Sequence, residues 1–161
     1  MAMRVPFSAE ETLKIAIRIE ENGKELYEDM AAQVDDKELV DVFKDLATEE
    51  VKHKETFRGM LEDKEAEVGV DLNELLYGEL ENSYIRALAD SKVFTPSNEN
   101  VELVKEAETR DKLLTLAISL ERDTILYYYE ILDVAKPQDR DVIRDVIDEE
   151  KSHVKRLARL L

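Results

Sequence analysis

Cysteine is absent from this 161-residue chain. That excludes disulfides, a thiolate metal site and a cysteine nucleophile, and it suits a reducing, cytoplasmic setting. Three prolines and four glycines are few for a turn-rich β fold, so long helices are favoured. No apolar run is long enough to span a membrane, and the N-terminal residues lack the apolar core of a signal peptide. Basic blocks are missing as well. A formal net charge of −16 argues against a nucleic-acid partner; it keeps a surface soluble and draws cations. Gly-rich phosphate loops, a His-Glu-x-x-His zinc motif and an EF-hand loop are also lacking.

What is present is helical. Apolar residues make up 43% of the chain and charged residues 39%. The length fits one domain over 1–161, with a sizeable core. Ser8 with Glu11 forms a capping-box pattern, and a stripe follows at Leu13, Ala16, Ile17, Glu20, Gly23, Tyr27, Met30, Ala31 and Val34. Asp35 and Asp36 break that stripe and can cap a second helix. It reads Leu39, Val42, Phe43, Leu46, Glu50, His53, Phe57, Met60 and Leu61. An insertion over about 62–108 follows, punctuated by Gly69, Gly78 and Pro96. Asp71 with Glu74 opens an expected helix over about 72–89, with Tyr77, Leu80, Tyr84 and Leu88 as its stripe. A shorter helix is expected near 99–107. The third long helix spans about 110–135 through Leu114, Ala117, Glu121, Thr124, Ile125, Tyr128 and Leu132. Pro137 suits the next link, or the first turn of a last helix carrying Ile143, Val146, Glu150, His153, Leu157 and Leu160.

The two halves repeat. Ala16-Ile17-x-Ile19-Glu20 matches Ala117-Ile118-x-Leu120-Glu121, and Tyr27 and Tyr128 each stand seven residues after that glutamate. Each half then carries Glu-x-x-His: Glu50 with His53, and Glu150 with His153. These are the only histidines in the chain. Residues three apart share a helix face, so a carboxylate and an imidazole so placed can reach one metal ion.

A bundle of these four helices would direct Glu20, Glu50, His53, Glu121, Glu150 and His153 into one core layer. Buried carboxylates are costly unless paired or metal-bound. No lysine or arginine stands mid-stripe to neutralise them, Lys24 being the nearest. Two divalent cations would balance the four carboxylates. After each loses an electron, an oxo bridge would balance the added charge. Oxygen and imidazole donors without thiolate suit iron or manganese, and zinc less exclusively. The plainer alternatives are a solvated helix face for the glutamates and a locally paired core position for each histidine. Both require polar residues to interrupt an apolar stripe without purpose. For Tyr27 and Tyr128, core packing is an equally good reading.

A glutamate from each of two helices plus Glu-x-x-His from each of the other two is the ligand pattern of ferritin-like di-iron proteins. Through Ile19-Glu20-Glu21 with Tyr27, Glu50-x-x-His53, Leu120-Glu121 with Tyr128, and Glu150-x-x-His153, the chain resembles that superfamily, and within it the rubrerythrin-like branch. The resemblance spans all four long helices and not the insertion. It implies an all-α, up-down-down-up four-helix bundle with a long helix-containing crossover between helices 2 and 3. It implies two iron ions about 3.5–4 Å apart, oxo- or hydroxo-bridged when oxidised, with manganese or zinc as substitutes. Glu50 and Glu150 would bridge, Glu20 and His53 would complete one site, and Glu121 and His153 the other. Tyr27 and Tyr128 resemble the tyrosines beside the ligands in the family. Glu49 and Glu149 occupy positions where an acidic residue orients the opposite histidine in several relatives, a plain surface position being the alternative.

Two departures shape the functional expectation. Rubrerythrins proper carry a rubredoxin-like Cys₄ iron site, and this chain has no cysteine. They also carry an extra liganding glutamate, where Gly23 and Thr124 stand here. The expectation is an oxidoreductase that oxidises Fe(II) with hydrogen peroxide or dioxygen and draws on an external electron donor. It would work as a homodimer or higher homo-oligomer. The alternatives are a metal-binding protein without turnover and a purely structural bundle.

Overall fold

The computed structural model describes residues 9–68 and 109–161, together with 102, 104, 105 and 107. Four helices carry it: α1 (Ala9–Gln33), α2 (Lys37–Val68), α3 (Arg110–Val134) and α4 (Arg140–Ala158). No strand occurs among the described residues, so the fold is the expected all-α bundle.

Local chemistry sets the ends. Glu10 and Glu11 place negative charge in the first turn of α1, where the helix dipole favours it. The link to α2 is short, and Asp36 caps it: Oδ1 accepts from the amides of Glu38 (2.9 Å) and Leu39 (3.4 Å). Thr109 caps α3 by accepting from the Lys112 amide at 3.2 Å. Pro137 lies in the link rather than in α4, within a turn closed by the Asp139 amide on the Lys136 carbonyl. The backbone of α2 continues past its last stripe position, Leu61, to Val68. The run after Leu61 is mostly Glu, Asp and Lys, with no breaker before Gly69, so the helix outlasts its apolar face. Periodicity marks burial, not helix length.

The apolar stripes close on one another. Leu13, Tyr27, Met30, Leu39, Phe43, Phe57, Leu61, Leu114, Tyr128, Ile143, Val146 and Leu157 are buried in one core. Tyr27 stacks on Phe43 within the first hairpin, with ring centroids 6.0 Å apart. Phe57 meets Tyr128 across the two hairpins at 5.1 Å. Of the crossover, Glu102, Val104 and Lys105 are helical, as expected for the stretch near 99–107, and Val104 is buried against the core. Ser8 of the capping box, the helix over 72–89 and the stripe from Tyr77 to Leu88 lie outside the described residues.

Arg110 fixes the helix directions. At the start of α3, its Nη1 donates to Asp36 Oδ2 (2.6 Å) and its Nη2 to the Leu160 carbonyl (3.2 Å). The start of α3 therefore meets the start of α2 and the end of α4. So α2 and α3 run in one direction, and α1 and α4 in the other. A helix of 25 residues is about 38 Å long, which the connection between α2 and α3 has to span in return.

Candidate metal centre

Each hairpin delivers three polar side chains to the middle of the bundle: Glu20 from α1 with Glu50 and His53 from α2, and Glu121 from α3 with Glu150 and His153 from α4. All six are at most 2% exposed. They are not held there by capping or loops. Each occupies a stripe position whose neighbours a turn away are core residues, so burying the stripe buries the ligand atoms with it.

Donor atoms fall into two overlapping groups. Glu20, Glu50, His53 and Glu150 each offer one atom within 4.8 Å of the others, and so do Glu50, Glu121, Glu150 and His153. Glu50 and Glu150 belong to both. The two imidazoles lie nearly parallel, 5.5 Å apart. His53 Nδ1 stands 2.9 Å from Glu150 Oε1, 3.3 Å from Glu50 and 3.7 Å from Glu20. His153 Nδ1 stands 2.9 Å from Glu150 Oε2, 3.4 Å from Glu121 and 3.6 Å from Glu50. The closest of these contacts are poorly aligned as hydrogen bonds, so both Nδ1 atoms, both Glu150 oxygens, Glu50 Oε1 and Glu121 Oε2 go without one. Buried donors and acceptors converging unsatisfied from four helices fit a shared cation better than they fit each other.

Electrostatics give the same account. Burial, and next to it the charge of Glu150, pushes the Glu50 carboxyl well above the usual range. The same two causes raise Glu121 to about 8, against a partial offset from His153. Glu150 goes the other way: its burial is outweighed by close contacts with His153 and His53, which hold it low. Burial opposes a charged imidazole. Even so, contacts with Glu121 and Glu150 raise His153 to about 10, and Glu150, Glu20 and Glu50 raise His53 as well. Among the described residues, His53 and His153 are the only cationic neighbours of the four buried glutamates. Lys24 turns away to Glu28 at 2.8 Å.

Around the ligands the contacts cross between hairpins. The Tyr27 hydroxyl donates to Glu121 and the Tyr128 hydroxyl to Glu20. Burial and the nearby carboxylates raise both phenols, so they remain protonated donors. His53 Nε2 faces Glu149 and His153 Nε2 faces Glu49, each at 2.7 Å. Glu49 and Glu149 thus combine the two readings open from sequence, since both are partly solvated and both sit on the far nitrogen of a histidine. Arg156, which contacts Glu49 through both carboxylate oxygens at 3.0 Å, was not singled out by the sequence. Its signal is faint: it stands three residues after His153, where the matching place after His53 holds Thr56.

The profile of the rubrerythrin family matches residues 11–110. Glu20, Glu50 and His53 fall inside that stretch. Among solved structures, the chain is similar to the 2.30 Å crystal structure of a Thermotoga maritima protein assigned to the ferritin-like diiron-carboxylate proteins. The two are 25% identical, with a TM-score of 0.69 over 96% of this chain and 94% of that one. This likeness takes in α3 and α4, beyond the reach of the family match. No curated protein matches the chain. With a family match over well more than half of its length and the ferritin-like bundle built around a buried glutamate–histidine cluster, this chain belongs to the rubrerythrin family.

Proposed function

We propose that the protein binds two iron ions in this cluster and oxidises them from the ferrous state with hydrogen peroxide or dioxygen, drawing replacement electrons from an external donor. The observation that carries the reading is the pair of four-atom groups sharing Glu50 and Glu150. When bound, two irons supply two electrons in one encounter; with hydrogen peroxide, two protons are also taken up and two waters leave.

The chain's own residues do the rest. Glu50 and Glu150 span both positions, with Glu20 and His53 serving one and Glu121 and His153 the other. Tyr27 and Tyr128 hold the terminal glutamates by hydrogen bonds across the bundle. The apolar residues packed above and below the layer keep bulk water out. Two divalent ions balance the four carboxylates, and the oxygen-rich donor set, free of thiolate, suits iron better than zinc. The absence of cysteine leaves the chain no rubredoxin-like donor of its own. We further propose a cytoplasmic homo-oligomer. Among the described residues, no helix is long and apolar enough to cross a membrane.

The test is an anaerobic ferrous titration followed by peroxide or air. The expected result is saturation at two irons per chain and a near-ultraviolet charge-transfer band after oxidation, with repeated turnover when a reductant is added. Iron that binds but stays ferrous with both oxidants would point instead to metal binding without catalysis. Failure to bind two ions would overturn both.

A further inference from the structure

The two halves of the centre match in every ligand and differ just outside them. Glu149 hydrogen-bonds to His53 Nε2 at 2.7 Å and has no basic partner among the described residues. Glu49 stands equally near His153 Nε2, but its two oxygens are also engaged by Arg156 Nη1. His153 Nε2 is left without a well-aligned hydrogen bond, whereas His53 Nε2 has one. Arg156 also approaches Asp45, with Nη2 3.6 Å from its carboxylate. At the matching place on α2, Thr56 merely donates to the Lys52 carbonyl, so nothing cationic reaches Glu149 from there.

A carboxylate on the far nitrogen of a metal-binding imidazole makes the ring a stronger donor and fixes its tautomer. A guanidinium bound to that carboxylate drains its charge and pulls it off line. Resting on the two-metal reading above, we propose that Arg156 makes the two metal positions unequal by diverting Glu49 from His153, so that the position served by His53 binds the first ion. Arg156 is a positioning residue: it touches no ligand atom and acts through Glu49. Its effect belongs in the range of about tenfold in affinity seen for partners of metal-bound histidines. The opposite influence, in which Arg156 strengthens the His153 position by holding Glu49 still, is the competing outcome.

Having only two histidines makes the test clean. The protein is labelled with ¹⁵N-histidine, its two rings are assigned with His53→Gln, and apo-protein is titrated with Zn²⁺. The His53 ring should shift first, and its Nε2–H proton should lie downfield of that of His153. In Arg156→Gln the second binding step should tighten about tenfold and the order should fade, while Arg156→Lys keeps part of the difference. Thr56→Arg, which sets a guanidinium opposite Glu149, should weaken the first step. Rings that shift together in the wild type, or a His153 step that weakens in Arg156→Gln, would overturn the inference while leaving the two-metal reading intact. Binding of fewer than two ions would overturn both.

Discussion

At the scale of single residues, the centre is a balance between like charges and shared protons. Glu50 is raised by its burial and by Glu150. Glu50→Ala should therefore leave the metal-free fold at least as stable as before, while lowering the metal capacity from two ions per chain. Circular-dichroism melting set beside metal analysis checks both halves of that statement. A pH effect follows as well. Before metal binds, Glu121 keeps its proton to about pH 8 and His153 to about pH 10. A metal ion must expel these protons and that of His53, which its carboxylate neighbours also raise, so affinity should climb throughout as pH rises from 6 to 10. Calorimetry in buffers of different ionisation enthalpy should show more than one proton released per chain at pH 7. Without metal, these two groups make the folded chain bind more protons than the unfolded chain above their ordinary values. Stability should therefore decline as pH rises toward 8–10. All six buried side chains were legible from sequence because each is a polar break in an apolar stripe. Glu49 and Glu149 came with two readings, surface or histidine partner; Arg156 was not legible, since it looks like an ordinary solvated charge until α2 and α4 are brought together.

At the scale of elements, the ends of the helices carry the register that aligns the ligands. Asp36 serves twice: it caps α2 and receives Arg110 from α3. Asp36→Ala should cost about 1 kcal/mol for the cap. The half-exposed ion pair should add only about 0.5 kcal/mol. Together these should lower Tm by a few degrees, at about 2–4 °C per kcal/mol for a chain of this size, with metal stoichiometry unchanged. Differential scanning calorimetry with iron analysis checks this, and a loss of metal sites would show that the end contact aligns the centre more tightly than its exposure suggests. The helix start at Lys37 was readable because acidic caps precede it, and that at Arg110 from the stripe that follows it, the Thr109 cap being a finding of the structure. The end of α2 was not, because charged helix formers prolong a helix without leaving an apolar trace.

At the scale of the whole molecule, the contacts that surround the six-residue cluster join one hairpin to the other: Tyr27 to Glu121, Tyr128 to Glu20, His53 to Glu149, His153 to Glu49. Within each hairpin the packing away from the cluster is apolar and needs no metal. Removing metal should therefore loosen the contact between hairpins before it loosens either hairpin. Hydrogen exchange after chelation should rise first in the central turns of the four helices, with Tm falling at the same time. Uniform acceleration along the helices would contradict this.

The repeat seen in the sequence gains a meaning from those crossed contacts. Each hairpin presents a tyrosine, three glutamates and an imidazole, and meets the same five from its counterpart. Such a surface is complementary to itself. Two separate copies of one hairpin would bring together the same ligand set, and joining them end to end would add only the crossover. The chain has the form of a dimer of half-proteins made permanent by covalent linkage, and a difference such as that between Arg156 and Thr56 is open only to a linked pair, since two identical copies would carry the same residue at both places.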